Sequence, residues 1–129
     1  MPTVGDIMSR DLLIIDGGTP LADAARRMHE RHVGAVLVVE PDRLVGILTE
    51  RDVLRSVALG AAAGATVAEW MTRHPEAIEP SDTPAHAAML MIHGGFRHLP
   101  VLDGDELVGI VSIRDVMRVT LDDESPRGV

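Results

Sequence analysis

The chain has 129 residues, a formal net charge of −8 and no cysteine. The acidic balance argues against nucleic acid and against an anionic membrane surface as partners, because both require a basic face. The lack of cysteine excludes disulfides, thiolate nucleophiles and cysteine-ligated zinc. Aromatic residues make up only 2% of the chain, so a planar ligand would lie between aliphatic side chains and backbone. The start of the chain has no apolar signal-peptide core, and we expect a soluble, cytoplasmic protein.

Two copies of one pattern of elements are predicted along the chain. In each copy an extended run precedes a helix with apolar residues at helical spacing, and two strands joined by a polar turn lead into a last helix. The pattern is therefore β-α-β-β-α. The first copy places these elements at 12–15, 21–32, 35–39, 44–48 and 49–59, and the strands and last helix of the second copy fall at 76–79, 98–102, 107–111 and 112–121.

Threonine and glycine residues indicate where the first helix of each copy begins and ends. Thr19 and Thr83 are each followed by proline, which predicts two N-caps with proline at the first helical position. Gly34 and the pair 94–95 are predicted to end the two helices.

The repeat is strongest at its end. Residues 44–55, LVGILTERDVLR, and 107–118, LVGIVSIRDVMR, are identical at eight of twelve positions, at an offset of 63. IMSR (7–10) and WMTR (70–73) share that offset, but the Thr-Pro pairs differ by 64, so we predict that the second copy gained one residue before that point. The pattern indicates a tandem duplication.

The duplication predicts repeat 1 at 4–60, a linker at 61–66, repeat 2 at 67–121 and a flexible polar tail at 122–129. A unit of about 60 residues is marginal alone, because it buries too little surface. We therefore predict an α/β (α+β) fold in which two units pack sheet to sheet about a pseudo-twofold axis.

The repeated phrase places a hydroxyl and a carboxylate at the start of a helix. Thr49 and Ser112 fall where a strand ends, and Asp52 and Asp115 follow three residues later. One interpretation is a capping box with aspartate in place of glutamate, which only stabilises the helix. The other is a site for an oxygen-rich ligand, since a carboxylate can accept from the two vicinal hydroxyls of a ribose.

Two other residue types in the phrase have open interpretations. Gly46 and Gly109 leave room for a close backbone approach, or allow a strand kink. Arg51 and Arg114 directly precede the acids, and each could reach a phosphate or be a solvated surface charge.

A basic pair occurs in the second copy only. Arg97 and His98 precede an apolar strand, where the first copy has Gly34 and Ala35. The pair would suit a phosphate chain. The alternative is a surface arginine and a histidine at a strand end. Either way, the two copies are predicted to be inequivalent.

No catalytic or metal-binding pattern stands out. His29 and His32 lie at helical i, i+3 spacing, but no third ligand has convincing spacing, so a metal site is not expected. The sequence also lacks a nucleophile–base–orienter pattern, and we do not expect an enzyme or a catalytic cofactor.

The chain resembles a pair of cystathionine-β-synthase (CBS) domains, also called a Bateman module, over about residues 4–121. The segments that carry the resemblance are VGDIMSRD, GAVLVVEPDRLVGILTERDVLR and RHLPVLDGDELVGIVSIRDVMR. The resemblance implies two stacked units whose clefts bind an adenosine-containing ligand: AMP, ADP, ATP, S-adenosylmethionine or NAD. It also implies a regulatory, energy-sensing role, a homodimer, a module that stands alone and an unidentified protein target.

The resemblance also implies roles for particular residues. Thr49 with Asp52, and Ser112 with Asp115, would hold ribose, while Arg97 and His98 match a pair that contacts phosphates. Residues near the first strand and the hairpin would lie against the base: Leu13, Ile14, Gly34, Ala35 and Ile78. Because such units cross over, Arg97, His98 and Ile78 are expected to complete the Thr49/Asp52 cleft. The other four would complete the Ser112/Asp115 cleft, which would then lack the basic pair.

Two hypotheses therefore remain. The first is a sensor that binds an adenine nucleotide as a regulatory ligand and changes shape or partner affinity. The second is a ligand-free structural or dimerisation module in which both repeated phrases serve only as helix caps.

Overall fold

The computed structural model describes residues 1–124. In chain order the elements are α1 Val4–Ile7, β1 Ile14–Ile15, α2 Leu21–Arg31, β2 Ala35–Val39, β3 Leu44–Thr49, α3 Glu50–Ala58, α4 Val67–Trp70, β4 Thr72–Arg73, α5 Pro84–Gly94, β5 His98–Asp103, β6 Glu106–Ser112 and α6 Ile113–Glu124. The mixed α and β content confirms the predicted fold class. Helix α6 includes the first residues of the predicted tail, and the rest of that tail, 125–129, lies outside the described residues.

The chain forms two compact units. Unit 2 is continuous and comprises Leu12–Pro75, whereas unit 1 combines Met1–Asp11 with the part of the chain from Glu76 onward. Each unit therefore contains most of one repeat and the opening segment of the other. The repeat boundaries read from the sequence stay a prediction.

Unit 2 is built on a four-stranded sheet in the order β1-β2-β3-β4. Strands β2 and β3 form an antiparallel hairpin, β1 lies parallel to β2, and β4 lies antiparallel to β3. Strand β2 is a run of branched apolar residues, which suits a strand buried on both faces. Its Val36 and Val38 pack with Leu21, Ala24 and Met28, the apolar stripe of α2.

Unit 1 repeats this arrangement with fewer strand pairs. Strands β5 and β6 form the antiparallel hairpin. An antiparallel bridge between Ser9 and Ile110 takes the place of the β4–β3 pair, and a parallel bridge between Ile78 and Val101 takes that of β1–β2. The predicted strand at 76–79 is thus a single bridge. Val101 packs with Ile78, Ala87 and Met91 in the core of this unit.

Equivalent backbone hydrogen bonds show that the offset between the copies is 63 throughout. In unit 1 the amide of Val4 donates to the carbonyl of Asp82 (2.8 Å), and in unit 2 the amide of Val67 donates to that of Thr19 (2.9 Å). The second bond of each set runs from Gly5 to Pro80 and from Ala68 to Gly17, both at 2.9 Å. The predicted gain of one residue in the second copy is therefore wrong.

The error came from the Thr-Pro pairs, which occupy different positions in their helices. Helix α2 begins at Leu21, so Pro20 is its N-cap and Thr19 is not, against the prediction. Helix α5 has Thr83 as N-cap, with its hydroxyl accepting from the amide of His86, and Pro84 at the first position, as predicted.

The helix ends are also partly as predicted. Gly95 ends α5 in the left-handed conformation, at φ 72°, where glycine is favoured because it has no Cβ. Helix α2 ends earlier than Gly34, at His32, which takes the left-handed conformation itself (φ 55°). Within residues 1–124, no helix has the length and apolar character that crossing a membrane requires.

Candidate functional site

The repeated phrase forms the same hydrogen-bonded junction in both units. At the start of α3 the amide of Thr49 donates to the Asp52 carboxylate (2.9 Å), and the amide of Asp52 donates to the Thr49 hydroxyl (3.4 Å). At the start of α6 the corresponding distances for Ser112 and Asp115 are 2.8 and 3.1 Å. Both junctions are capping boxes. The carboxylates thus have a structural role, whether or not they also bind a ligand.

The two carboxylates differ in their remaining partners. Asp52 is buried, with 9% of its surface exposed, and its Oδ1 accepts from Nη2 of Arg55 at 3.4 Å. Its Oδ2 also faces the Thr49 hydroxyl at 3.2 Å. Asp115 is only half-buried, and in the described part of the chain its side chain bonds to Ser112 alone. Asp115 therefore has more unused acceptor capacity.

Arg55 is itself held by a second group in unit 2. Its Nη2 lies 3.4 Å from the backbone carbonyl oxygen of Trp70, and its guanidinium lies over the Trp70 ring, 5.2 Å from the centroid. A guanidinium at this distance is attracted by the ring quadrupole. At the offset of 63, Arg118 and Ile7 occupy the equivalent positions of unit 1, and isoleucine offers no ring.

A third capping box lies at α1, outside the repeated phrase. The amide of Thr3 donates to the Asp6 carboxylate (2.8 Å), and the amide of Asp6 donates to the Thr3 hydroxyl (3.3 Å). The bond from the Thr3 amide, with a smaller contribution from the hydroxyl, holds the pKa of Asp6 below its ordinary value. A hydroxyl and an aspartate at this spacing are therefore not by themselves the mark of a ligand site.

Strand register places the basic pair beside one of the junctions. His98 lies directly opposite Ser112 on the β5–β6 hairpin, as Ala35 lies opposite Thr49 on β2–β3. Side chains directly opposite on antiparallel strands share a face, with Cβ atoms about 5 Å apart. Within unit 1, therefore, an imidazole faces the hydroxyl of the repeated phrase, where unit 2 has a methyl group.

The backbone before each of these strands is fixed by the following helix. The carbonyl of Arg97 accepts from the amide of Ile113 (2.8 Å), and the carbonyl of Gly34 accepts from that of Glu50 (3.0 Å). The side chain of Arg97 is exposed. The division of these residues between two crossed clefts stays a prediction.

Arg51 and Arg114 lie in the first turns of α3 and α6 and are both exposed. Exposure at a helix N-terminus is compatible with a phosphate contact and equally with a solvated charge. Both interpretations remain open for these two residues.

The two glycines of the phrase are explained by methionines. A Cβ on Gly46 would overlap the Met71 side chain, with Cγ at 3.1 Å, and a Cβ on Gly109 would overlap that of Met8, with Cγ at 2.9 Å. The space over each strand is thus filled by packing within the unit. The predicted alternatives, a close backbone approach and a strand kink, do not name these methionines, but the backbone oxygen of Ser9 would lie 3.0 Å from a Cβ on Gly109, and the strand register shifts next to the partner of each glycine. Met8 and Met71 are themselves related by 63, and that was the available signal.

The predicted base contacts fall into two groups. Leu13 and Ile78 belong to the hydrophobic cores of their units, and Ala35 is also buried. Gly34 is half-buried, while Ile14 is 49% exposed. Of the predicted apolar side chains, only that of Ile14 is largely exposed to solvent.

Sequence reasoning missed the counterpart of Ile14. At the offset of 63 that residue is Ala77, which is half-buried, whereas Ile78 corresponds to the core residue Ile15. The assignment of Ile78 to a base contact stays a prediction.

Among residues 1–121, whose side chains the structure describes, no three histidine, aspartate or glutamate side chains are grouped so that they could hold a metal ion. His32, one of the two histidines at i, i+3 spacing, ends helix α2.

The fold and the two junctions define a duplicated α+β module. A family model described as "CBS domain" matches residues 4–59 and 67–122. The chain therefore belongs to the CBS domain family and carries two CBS domains in tandem. The resemblance read from the sequence is confirmed.

Similar proteins cover nearly the whole chain. The CBS domain-containing protein YhcV of Bacillus subtilis (strain 168) is 33% identical over 126 residues, which are 97% of this chain and 90% of that protein. The CBS domain pair of protein MJ0100, solved in complex with 5-methylthioadenosine and S-adenosyl-L-methionine, matches with a TM-score of 0.89 and 25% identity, covering 96% of this chain and 99% of that one. CBSX2 in complex with AMP matches with a TM-score of 0.82 and 28% identity, at the same coverages.

Proposed function

We propose that this CBS pair is a regulatory sensor of an adenosine-containing ligand. The observation that carries the proposal is the hydroxyl–carboxylate junction, which recurs at the same place in both units. Two similar structures hold adenosine compounds, AMP in one and S-adenosyl-L-methionine with 5-methylthioadenosine in the other. The adenine nucleotides AMP, ADP and ATP are the first candidates, followed by S-adenosylmethionine and NAD.

The junctions would hold the ribose of such a ligand. A ribose presents two vicinal hydroxyls, and a carboxylate at a helix N-terminus can accept from both. Asp52 and Asp115 each keep one oxygen outside the capping box. The ribose would therefore bind without breaking the cap.

Arg97 and His98 would contact the phosphates. Charge-assisted hydrogen bonds to phosphate are strong, and the exposed guanidinium of Arg97 can move to meet a ligand. The first copy has Gly34 and Ala35 at the equivalent positions, so only one cationic pair is available. Of the two sites, only one would therefore have strong phosphate contacts.

The role we propose is regulatory and not enzymatic, in the cytoplasm, without nucleic acid or membrane partners. A ligand shifts a conformational equilibrium only by its different affinity for the two states. A sensor of this kind therefore acts on a protein target, whose identity is open.

A thermal-unfolding panel tests the proposal. The ligands are AMP, ADP, ATP, NAD, S-adenosylmethionine and adenosine. A ligand at 100 times its Kd stabilises the folded state by about 2.7 kcal/mol. For a chain of 129 residues this raises Tm by several degrees. The absence of any shift across the panel would contradict the proposal.

Three carboxylate variants separate ligand binding from helix capping. Asp52→Asn and Asp115→Asn remove the charge from the two junctions, and Asp6→Asn removes it from the capping box of α1. We expect weaker AMP binding, measured by calorimetry, for the first two and unchanged binding for the third. Equal binding by all three would assign the junctions to capping alone.

The phosphate contact has its own test. Arg97→Ala should reduce the preference for AMP over adenosine by about tenfold to a hundredfold, since a lost charge-assisted bond is worth about 1.5–3 kcal/mol. Arg114→Ala is the comparison. A similar loss of preference would indicate that Arg114 contacts the phosphate, and no loss would indicate a solvated charge. An unchanged preference in Arg97→Ala would remove that residue from the site.

The second candidate is a ligand-free structural or dimerisation module, and the three capping boxes favour it. Exposed apolar side chains on α5 and α6 support the homodimer that either candidate would form: Met89, Ile92, Met117 and Leu121. Light scattering after size-exclusion chromatography tests the dimer. Loss of the dimer in Met89→Arg would locate the interface on α5.

A further inference from the structure

The two junctions have different amounts of free carboxylate. In unit 2 the Oδ2 atom of Asp52 faces the amide and hydroxyl of Thr49, and Oδ1 faces the guanidinium of Arg55. In unit 1 Asp115 accepts from the amide of Ser112, and the described residues provide no other partner for it. A ribose arriving at Asp52 must therefore compete with an arginine, and a ribose arriving at Asp115 meets no such competitor.

Arg55 can compete with a ribose for the Asp52 carboxylate, and it can also move away from that carboxylate. Its Nη2 is shared between Asp52 Oδ1 and the Trp70 carbonyl, both at 3.4 Å, and the ring of Trp70 lies beneath the guanidinium. The side chain is 52% exposed, so water can solvate the guanidinium when it leaves the carboxylate. Trp70 keeps Arg55 next to the acid while leaving it free to move.

Unit 1 has the arginine of this arrangement but not the tryptophan. Arg118 stands at the position equivalent to Arg55, but Ile7 stands where unit 2 has Trp70. Arg118 is exposed, and the described side chains, those of residues 1–121, give it no hydrogen bond or ion pair. The difference between the units is therefore one of side chains on an equivalent backbone.

We propose that Arg55 is a specificity-determining residue that lowers the affinity of the Thr49/Asp52 site for a ribose, so that the Ser112/Asp115 site fills first with adenosine, which has a ribose and no phosphate. This inference rests on the proposed function. The chain would then bind adenosine in two steps, and the second step would displace Arg55 from Asp52.

Calorimetry with adenosine tests the effect of Arg55, because adenosine has no phosphate for Arg97 or His98 to contact. The Asp115→Asn variant leaves the Thr49/Asp52 site to be measured, and Arg55→Gln is then added. Exposed ion pairs are worth up to about 1 kcal/mol, so releasing Asp52 should raise the remaining affinity about two- to fivefold. The matched control is Arg118→Gln in the same background, where we expect no change. An unchanged or lowered affinity in the Arg55 variant overturns the inference.

Trp70 supplies an independent readout, because it is the only tryptophan. Departure of Arg55 from its ring should change the Trp70 emission. In a titration of the wild type with adenosine, the change should follow the second, weaker step. A change that accompanies the tighter step would contradict the order.

A ligand-free measurement separates the two proposals. A double-mutant cycle of Arg55→Gln and Asp52→Asn, followed by urea unfolding, should give a coupling free energy, whereas Arg118→Gln with Asp115→Asn should give none. Lack of coupling between Arg55 and Asp52 overturns this inference whatever AMP does. Lack of AMP binding by the wild type and all variants overturns the proposed function, and this inference with it.

Discussion

Units 1 and 2 have equivalent backbone hydrogen bonds and different side chains at their junctions. The bonds that dock α1 and α4 recur at a constant offset of 63, with lengths that agree within 0.1 Å. Over the same offset Asp52 is partnered by Arg55, whereas no arginine among the residues that the structure describes pairs with Asp115. A duplicated fold thus keeps the contacts that build it, while the residues at its edge can diverge. Inequivalent sites are the expected outcome.

The outer faces of α2 and α5 differ in the same way. On α2, Arg26 forms ion pairs with Asp23 (3.0 Å) and Glu30 (4.0 Å), so the exposed face is charged. The equivalent of Arg26 on α5 is Met89, which is 57% exposed, and Ile92 is 74% exposed. Apolar side chains that remain exposed in one copy only indicate that the copies meet different surroundings.

The largest expected effect tests what the units share. Gly46→Val and Gly109→Val should each destabilise the fold by about 1–3 kcal/mol, because the new side chain would displace Met71 or Met8. Urea unfolding measures the loss. Gly64→Ala is the control, since no atom lies within 4 Å of a Cβ at that position. If only one of the two glycine variants were destabilised, the units would not be equivalent in packing.

The next largest effect is the difference between the stability losses caused by replacing Asp52 and Asp115. Asp52→Ala and Asp115→Ala each remove the side chain that completes a capping box, at a cost of about 1 kcal/mol. The loss should be larger for Asp52 by up to about 1 kcal/mol, because that variant also removes the ion pair with Arg55. Denaturant midpoints of the two variants give the comparison. Equal losses would show that the Arg55 contact contributes nothing to stability.

Two threonines at equivalent positions provide a smaller contrast. Thr3 accepts from the amide of Asp6, whereas Thr66 makes no side-chain cap bond. Thr3→Ala should therefore cost about 0.5–1 kcal/mol, and Thr66→Ala close to nothing. Thermal unfolding of both variants at neutral pH measures this. A matching loss in Thr66→Ala would contradict the assignment of the cap.

The same cap should depend on pH. The folded state lowers the pKa of Asp6, so its contribution is present above the unfolded-state pKa and is lost as the pH falls through the lower folded value. Asp6→Asn should remove this dependence. The difference between wild type and Asp6→Asn, followed by unfolding at decreasing pH, should vanish at acid pH. A difference that persists there would exclude ionisation as its cause.

The smallest effect on stability concerns α5. Met89→Arg introduces the residue that α2 carries at the equivalent position. Because the side chain is exposed in the single chain, the unfolding free energy should change by less than about 0.5 kcal/mol at concentrations where the protein is monomeric. Chemical denaturation tests this. A large loss would mean that the face is packed in the folded protein.

Much of the fold could be predicted from the sequence, because the signals were local. The hairpin strands follow from branched apolar runs around polar turns, and the capping boxes follow from hydroxyl–acid spacing. The sequence did not predict in this way that each unit contains the opening segment of the other repeat. This arrangement depends on hydrogen bonds such as that of Val4 with Asp82, between residues far apart in sequence.

The candidate site was harder to predict than the fold. The Thr-Pro pairs suggested a false offset, and Ala77, the counterpart of Ile14 at the offset of 63, was not predicted. The contact of Arg55 with Asp52 was missed as well. Arg55 lies in the repeated phrase, but its partner Trp70 is fifteen residues further along, and nothing local indicated that they meet.

The discontinuity of unit 1 has a consequence for synthesis on the ribosome. Unit 2 ends at Pro75, so all of its strands are translated before residue 76 is added. The segment Met1–Asp11 is translated before unit 2, yet its partners around Pro80, Asp82 and Ile110 are translated after it. Since domains generally fold as they are made, unit 2 can fold before the segment that precedes it is paired. Met1–Asp11 must therefore wait for its partners until residues as far as Ile110 have been made.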